Sequence, residues 1–141
     1  MNLIHHGFEI TELPTEWLAE AGVVGFVPEA AAYAVGVAVG QGRQVHEVRI
    51  EDVAPVRRTP GVEIFKDDPE TGRTARERVV RILRGFRENA LLPPVDVVPL
   101  PAGSVYKYKL VSGVHRFYCS LDVGFPCVPA IAGFDWNSLD A

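Results

Sequence analysis

Val111-Ser112-Gly113-Val114-His115-Arg116-Phe117-Tyr118 marks a passage from strand to helix. Upstream, residues 105–111 alternate aromatic and aliphatic side chains with lysines, the period-two pattern of a half-buried strand. Downstream, Val114, Phe117, Tyr118 and Leu121 recur at i, i+3, i+4 and i+7, an apolar helical stripe that Gly124 can end. The turn therefore falls on Ser-Gly-Val-His-Arg. A glycine there allows a tight or left-handed backbone, and the amides of the first helical turn have no intrahelical acceptor. Such amides attract anions, and His115 and Arg116 stand where their side chains can close over one. Residues 112–116 thus read as a phosphate cradle. The plainer reading of the same residues is a helix that covers a sheet and starts with a solvated arginine.

Working outward, the clearest periodic signal lies upstream. Thr74-Ala-Arg-Glu77 has the spacing of a capping box, and Ala75, Val79, Ile82, Leu83, Phe86 and Ala90 form one apolar stripe, so a helix is expected over residues 74–90. The rest of its surface carries Arg76, Arg81, Arg84 and Arg87, with Arg78 at the boundary. Five arginines on one helix suit a nucleic-acid footprint, but Glu77 and Glu88 among them favour a solvated face. Pro93-Pro94 cannot continue a helix. Residues 95–100 then read as a short apolar strand carrying Asp96, and residues 127–132 as a closing strand. Lys107 and Lys109 face away from Tyr106, Tyr108 and Leu110, which suits a strand at or near a sheet edge. Trp136 is expected to cover an exposed edge of the core.

Nearer the N-terminus, Pro14 and Gly22 bracket a short helix with Trp17 and Leu18 inward. Residues 33–40 suit a strand, and Gln41-Gly42-Arg43 reads as a tight connection into residues 44–50, giving a hairpin. Residues 45–53 alternate as a strand and run into Ala-Pro-Val-Arg-Arg-Thr-Pro-Gly, where Arg57 and Arg58 read as solvated loop arginines. The fold class expected is α+β: one compact domain with a small mixed sheet packed by two main helices. Residues 1–44 form an N-terminal extension packed on a domain of residues 45–141.

With 141 residues, 48% of them hydrophobic, the chain can bury a real core. Its net charge of −4 is the wrong sign for gripping nucleic acid over a broad face. The longest run of low charge, residues 30–42, is too short and glycine-broken to span a bilayer, and no signal-peptide pattern opens the chain. A soluble cytoplasmic protein is the expectation. Cys119 and Cys127 lack histidines at ligand spacing, so they read as core thiols and no metal site is assigned. His5 and His6 are adjacent and project differently, which suits surface residues better than a shared metal.

Between Leu92 and Ile131, three segments occur in order: Leu-Pro-Pro-Val-Asp-Val-Val, Tyr-Lys-Tyr-Lys-Leu-Val-Ser-Gly-Val-His-Arg-Phe-Tyr, and Gly-Phe-Pro-Cys-Val-Pro-Ala-Ile. This order resembles the ParB/sulfiredoxin superfamily, with its proline-marked strands and its Gly-x-His-Arg or Gly-x-Arg-Arg turn, over roughly residues 45–133. The resemblance implies a nucleotide-binding fold whose turn at Ser112, Gly113, Val114, His115 and Arg116 holds phosphates. It implies further contacts from Arg57 or Arg58 after the first strand, and from positions close to Arg78 and Arg81 on the long helix. The ligand implied is a nucleoside di- or triphosphate such as ATP or CTP, with magnesium, and the chemistry NTP hydrolysis or phosphoryl transfer. Sulfiredoxins carry their nucleophilic cysteine where this chain has Val114, so sulfiredoxin activity is excluded. Free serine kinases of this fold place a catalytic glutamate where Val56 and Arg57 stand, so no catalytic residue is assigned. DNA would be addressed only through another polypeptide, because no helix-turn-helix domain follows. The alternative is a non-catalytic protein-interaction module that retains the fold and engages a protein partner, with no membrane involved.

Overall fold

The structure, a computed structural model, describes residues 3–5, 8–10, 13–36, 44–56 and 65–132. Arg57, Arg58, His6, Trp136 and the Gln41-Gly42-Arg43 connection lie outside the described residues. The described chain is α+β. Two short strands, β1 (Leu3–His5) and β2 (Phe8–Ile10), pair antiparallel and precede helix α1 (Thr15–Ala21). The main sheet is built from β3 (His46–Arg49), β4 (Val95–Pro99), β5 (Tyr108–Ser112) and β6 (Cys127–Ala132). Its order is β3-β6-β4-β5, antiparallel at both outer pairs and parallel between β4 and β6. Two longer helices, α2 (Ala75–Glu88) and α3 (Val114–Val123), complete the element order.

The sequence pattern explains each element. Thr74 caps α2, its hydroxyl accepting from the Glu77 amide, and Asp67 Oδ1 accepts from the Ala75 amide at 2.6 Å. The helix stops two residues before the apolar stripe does. Asn89 takes a left-handed conformation at φ 54°, and the Ala90 amide returns to the Gly85 carbonyl. Val79, Val80, Leu83 and Phe86 turn inward, with Val95, Val97, Leu110, Val128 and Ala130 among the sheet's contributions to the same core. From α3, Phe117 and Tyr118 are wholly buried, each such ring adding roughly 1.5–3 kcal/mol of hydrophobic stabilisation. Leu13, Leu18 and Ala21 join this core from the N-terminal side, where α1 lies against α2.

One expectation for the first half of the chain needs correcting. The strand expected over residues 45–53 is only four residues long, because Ile50–Asp52 winds into a 3₁₀ turn. That turn carries the chain from one sheet edge to the other: Val53 bridges Tyr108 in parallel, and the Ala54 amide donates to the Tyr108 carbonyl at 2.9 Å. The edge strand β5 is thereby covered by a continuation of the opposite edge strand, leaving Lys107 and Lys109 outward as their spacing predicts. Residues 37–43 of the expected hairpin lie outside the described residues, and its described parts have partners far along the chain. Val35 bridges Leu92, and β3 pairs with β6. The period-two pattern specified strands but carried no information on partners so distant in sequence. Among the described residues, no helix is long and apolar enough to cross a membrane.

Candidate functional site

Gly113 sets the geometry of the site. It sits at φ 91°, ψ 29°, between the last residue of β5 and the first of α3, and an added Cβ would stand 2.7 Å from Val95 Cγ1. The turn is thus pressed against β4, and only glycine meets both the backbone and the space. Having no side chain, Gly113 makes no side-chain cap, and the first intrahelical bond runs from the Phe117 amide to the Gly113 carbonyl at 2.9 Å. The opening amides of α3 face outward without intrahelical acceptors.

Packing of α3 beside α2 leaves a cleft of about 680 Å³ at this helix start. Gly113, Val114, His115 and Arg116 line one wall, while Arg78, Arg81 and Arg84 line the other at successive spacings of three along α2. Arg73, just before α2, Leu92 and Pro93 also face it. Among the described residues, five arginines and one carboxylate, Glu88, line a single cleft in a chain of net charge −4, so its field favours anions. Among the described residues, neither cysteine, serine nor threonine lines it.

The individual side chains are held to different degrees. Arg116 donates from Nη2 to the Pro94 carbonyl at 3.2 Å, and its Nε–H is buried with no acceptor. Tyr33, behind it, donates its phenol proton to the Pro93 carbonyl at 2.6 Å. Burial pushes the Tyr33 phenol up to about 12, against the opposing pull of the Arg116 guanidinium. His115 and Arg78 hold the backbone of one residue, Lys66, through the two peptide groups that flank it. The Lys66 amide donates to His115 Nε2 at 3.2 Å, and Arg78 Nη1 donates to the Lys66 carbonyl at 2.8 Å. The buried Phe65 ring meets the imidazole edge-on at 5.5 Å.

The structure therefore gathers Gly113, Val114, His115, Arg116, Arg78 and Arg81 around one cleft. Ser112 is not among the lining residues. Its hydroxyl donates to Asp96 Oδ2 across the β4–β5 pair at 2.5 Å, so its polar group is committed to the sheet. Arg57 and Arg58 lie outside the described residues. Arg73 and Arg84 were not singled out by sequence; a spacing of three from Arg81 was the one available signal for Arg84. The remaining arginines of α2 go elsewhere: Arg76 pairs with Glu20 at 2.7 Å, and the Arg87 guanidinium lies over Gly22. The helix therefore does not present its five arginines as one nucleic-acid face.

Cys119 is fully buried and Cys127 half-buried, both as free thiols, and burial pushes each thiol up, away from reactivity. Among the described residues no three histidine, cysteine, aspartate or glutamate side chains gather into a metal-binding group.

No family model and no curated protein matches the sequence. Among solved structures, the chain is similar to sulfiredoxin from Arabidopsis thaliana, with 19% sequence identity, a TM-score of 0.46, and coverage of 69% of this chain and 93% of that one.

Proposed function

We propose that this chain is a ParB/sulfiredoxin-type domain that binds a nucleoside di- or triphosphate, with the phosphates resting on the opening amides of α3. The observation that carries this reading is the arginine excess of the cleft: among the described residues Arg73, Arg78, Arg81, Arg84 and Arg116 line it against Glu88, beside a helix start, and Arg84 also donates to the Glu20 carbonyl at 3.3 Å. The residues fit a polyphosphate. Guanidinium groups supply forked, charge-assisted hydrogen bonds, and the absence of a Cβ at Gly113 lets an anion approach the backbone. The described residues do not fit magnesium, since the one carboxylate among them makes a poor site for a cation that prefers oxygen ligands. Any magnesium arrives on the phosphates. Proton-transfer groups are sparse among the described lining residues, with Glu88 the one carboxylate of that set and His115 bound to Lys66, so the reading is of binding rather than turnover.

The test is a thermal-shift panel with ATP, ADP, CTP, GTP and inorganic tripolyphosphate, each with and without magnesium. A ligand at a hundredfold excess over its Kd adds about 2.7 kcal/mol to stability, which reads as a clear rise in Tm. Arg81→Glu is the informative variant, because Arg81 is exposed and its reversal leaves the core intact. Loss of the shift in Arg81→Glu with an unchanged ligand-free Tm supports the cleft as the site. No shift with any phosphate ligand overturns the reading and leaves the fold as a protein-interaction module.

A further inference from the structure

We infer that Tyr33 is a positioning residue for this site: from behind the cleft it fixes the guanidinium of Arg116, and so sets the strength of anion binding without meeting the anion; the inference rests on the phosphate reading above. Pro93-Pro94 brings two carbonyls and, proline having no N–H, not one backbone donor. The pair lies between Leu92, which bridges Val35, and Val95, which pairs with Ala130, outside either ladder. Side chains meet its carbonyls instead. The Tyr33 hydroxyl donates to that of Pro93 at 2.6 Å, and Arg116 Nη2 to that of Pro94 at 3.2 Å. Both side chains are thus held against one stiff dipeptide.

With its proton committed to Pro93, the phenol oxygen has only lone pairs left for the neighbouring Arg116 guanidinium, whose pull acts on it. The turn stops the guanidinium on another side, since an added Cβ at Gly113 would stand 3.1 Å from Arg116 Nη2. Among the described residues the buried Arg116 Nε–H has no acceptor, so the fork keeps a donor for an anion oxygen. Tyr33 can act as the fixed end because its own segment is tied down. The Cys127 amide donates to the Ala31 carbonyl at 3.0 Å, the Leu92 amide to the Ala34 carbonyl at 3.0 Å, and the Gly36 amide to the Leu92 carbonyl at 3.1 Å. Its ring is buried and stacks on Phe86 of α2. A long arginine side chain already held in place loses less rotamer freedom when it binds. Tyr33 is not among the residues that line the cleft, so its effect runs through Arg116.

A double-mutant cycle read by titration with inorganic tripolyphosphate, at a temperature well below the Tm of every variant, tests this. Tyr33→Phe keeps the ring on Phe86, removes only the hydroxyl, and is expected to bind about fivefold more weakly than wild type. Arg116→Ala is expected to bind about tenfold more weakly or worse. Added to Arg116→Ala, Tyr33→Phe is expected to cost less than about twofold more, because the hydroxyl then has no guanidinium to hold. A merely structural role lowers the Tm of Tyr33→Phe but leaves its affinity within about twofold of wild type. That result overturns the inference, as does the full loss repeated in the Arg116→Ala background. Where Arg116→Ala does not fold, exchange of the Arg116 Nε–H with solvent, followed by NMR, decides. It is expected to be slow in wild type and faster in Tyr33→Phe, and equal rates overturn the positioning role. Each of these failures leaves the phosphate site standing. Absence of binding by the wild-type protein overturns the phosphate reading and the inference with it.

Discussion

Gly113 bears two constraints at once. Its φ of 91° lies where a side chain is strained, and an added Cβ meets Val95 Cγ1 at 2.7 Å, Val95 Cβ at 3.0 Å and Arg116 Nη2 at 3.1 Å. Backbone strain of roughly 1–2 kcal/mol and overpacking of roughly 1–3 kcal/mol predict that Gly113→Ala lowers unfolding free energy by about 2–5 kcal/mol. Urea denaturation checks this, and a loss below about 1 kcal/mol would mean that the turn relaxes freely. The glycine was legible in sequence because a strand-to-helix turn needs such a residue. Its contact with Val95 was not, since that side chain lies eighteen positions earlier. Ser112 shows the opposite case. Its place before the glycine suggested an anion contact, but Asp96 on the neighbouring strand takes its hydroxyl.

At the scale of the element, α2 has a doubly capped start. Thr74 Oγ1 accepts from the Glu77 amide at 3.1 Å and Asp67 Oδ1 from the Ala75 amide at 2.6 Å, so two of the unpaired opening amides are satisfied separately. Thr74→Ala is expected to cost about 1 kcal/mol, and the Thr74→Ala, Asp67→Ala pair about 2 kcal/mol, as read from thermal unfolding followed by circular dichroism. Equal stability of the single and double variants would show that water replaces Asp67 at no cost. The Thr-x-x-Glu spacing announced the first cap, whereas the second needed the turn at residues 68–71 to fold Asp67 back. In that turn Asp68 accepts from the Glu70 amide and the Thr71 hydroxyl, which hold its carboxyl below the usual range. The arginines follow the same division. Their placement on the polar surface of α2 was plain from periodicity, but only packing against α3 separates Arg78, Arg81 and Arg84, which face the cleft, from Arg76 and Arg87, which do not.

Across the whole molecule, Tyr33 links the N-terminal third to the site, and its behaviour predicts how global stability responds to alkali. The folded protein holds the phenol proton to about 12 against an ordinary value of 10.0, so its contribution is fully present below pH 10 and is lost as pH rises from about 10 towards 12. The urea midpoint is expected to fall over that window in the wild type and to fall less in Tyr33→Phe, with both measured against their values at pH 8. Equal slopes would show that other groups govern the alkaline limb. No local pattern announced this residue's role, because Tyr33 meets Pro93 sixty positions away and stacks on Phe86 at 5.3 Å. The sequence by itself determined the α+β class, both main helices, the three C-terminal strands and the Gly113 turn. Each follows from hydrophobic period, capping chemistry or glycine's backbone freedom, which act over a few residues. Only the tertiary structure decided that β3 pairs with β6, that Val53 reaches the far sheet edge, and that Arg73 and Arg84 join His115 and Arg116 around one cleft. Those choices rest on which buried faces fit together across the chain, and a residue's immediate neighbours carry no record of that.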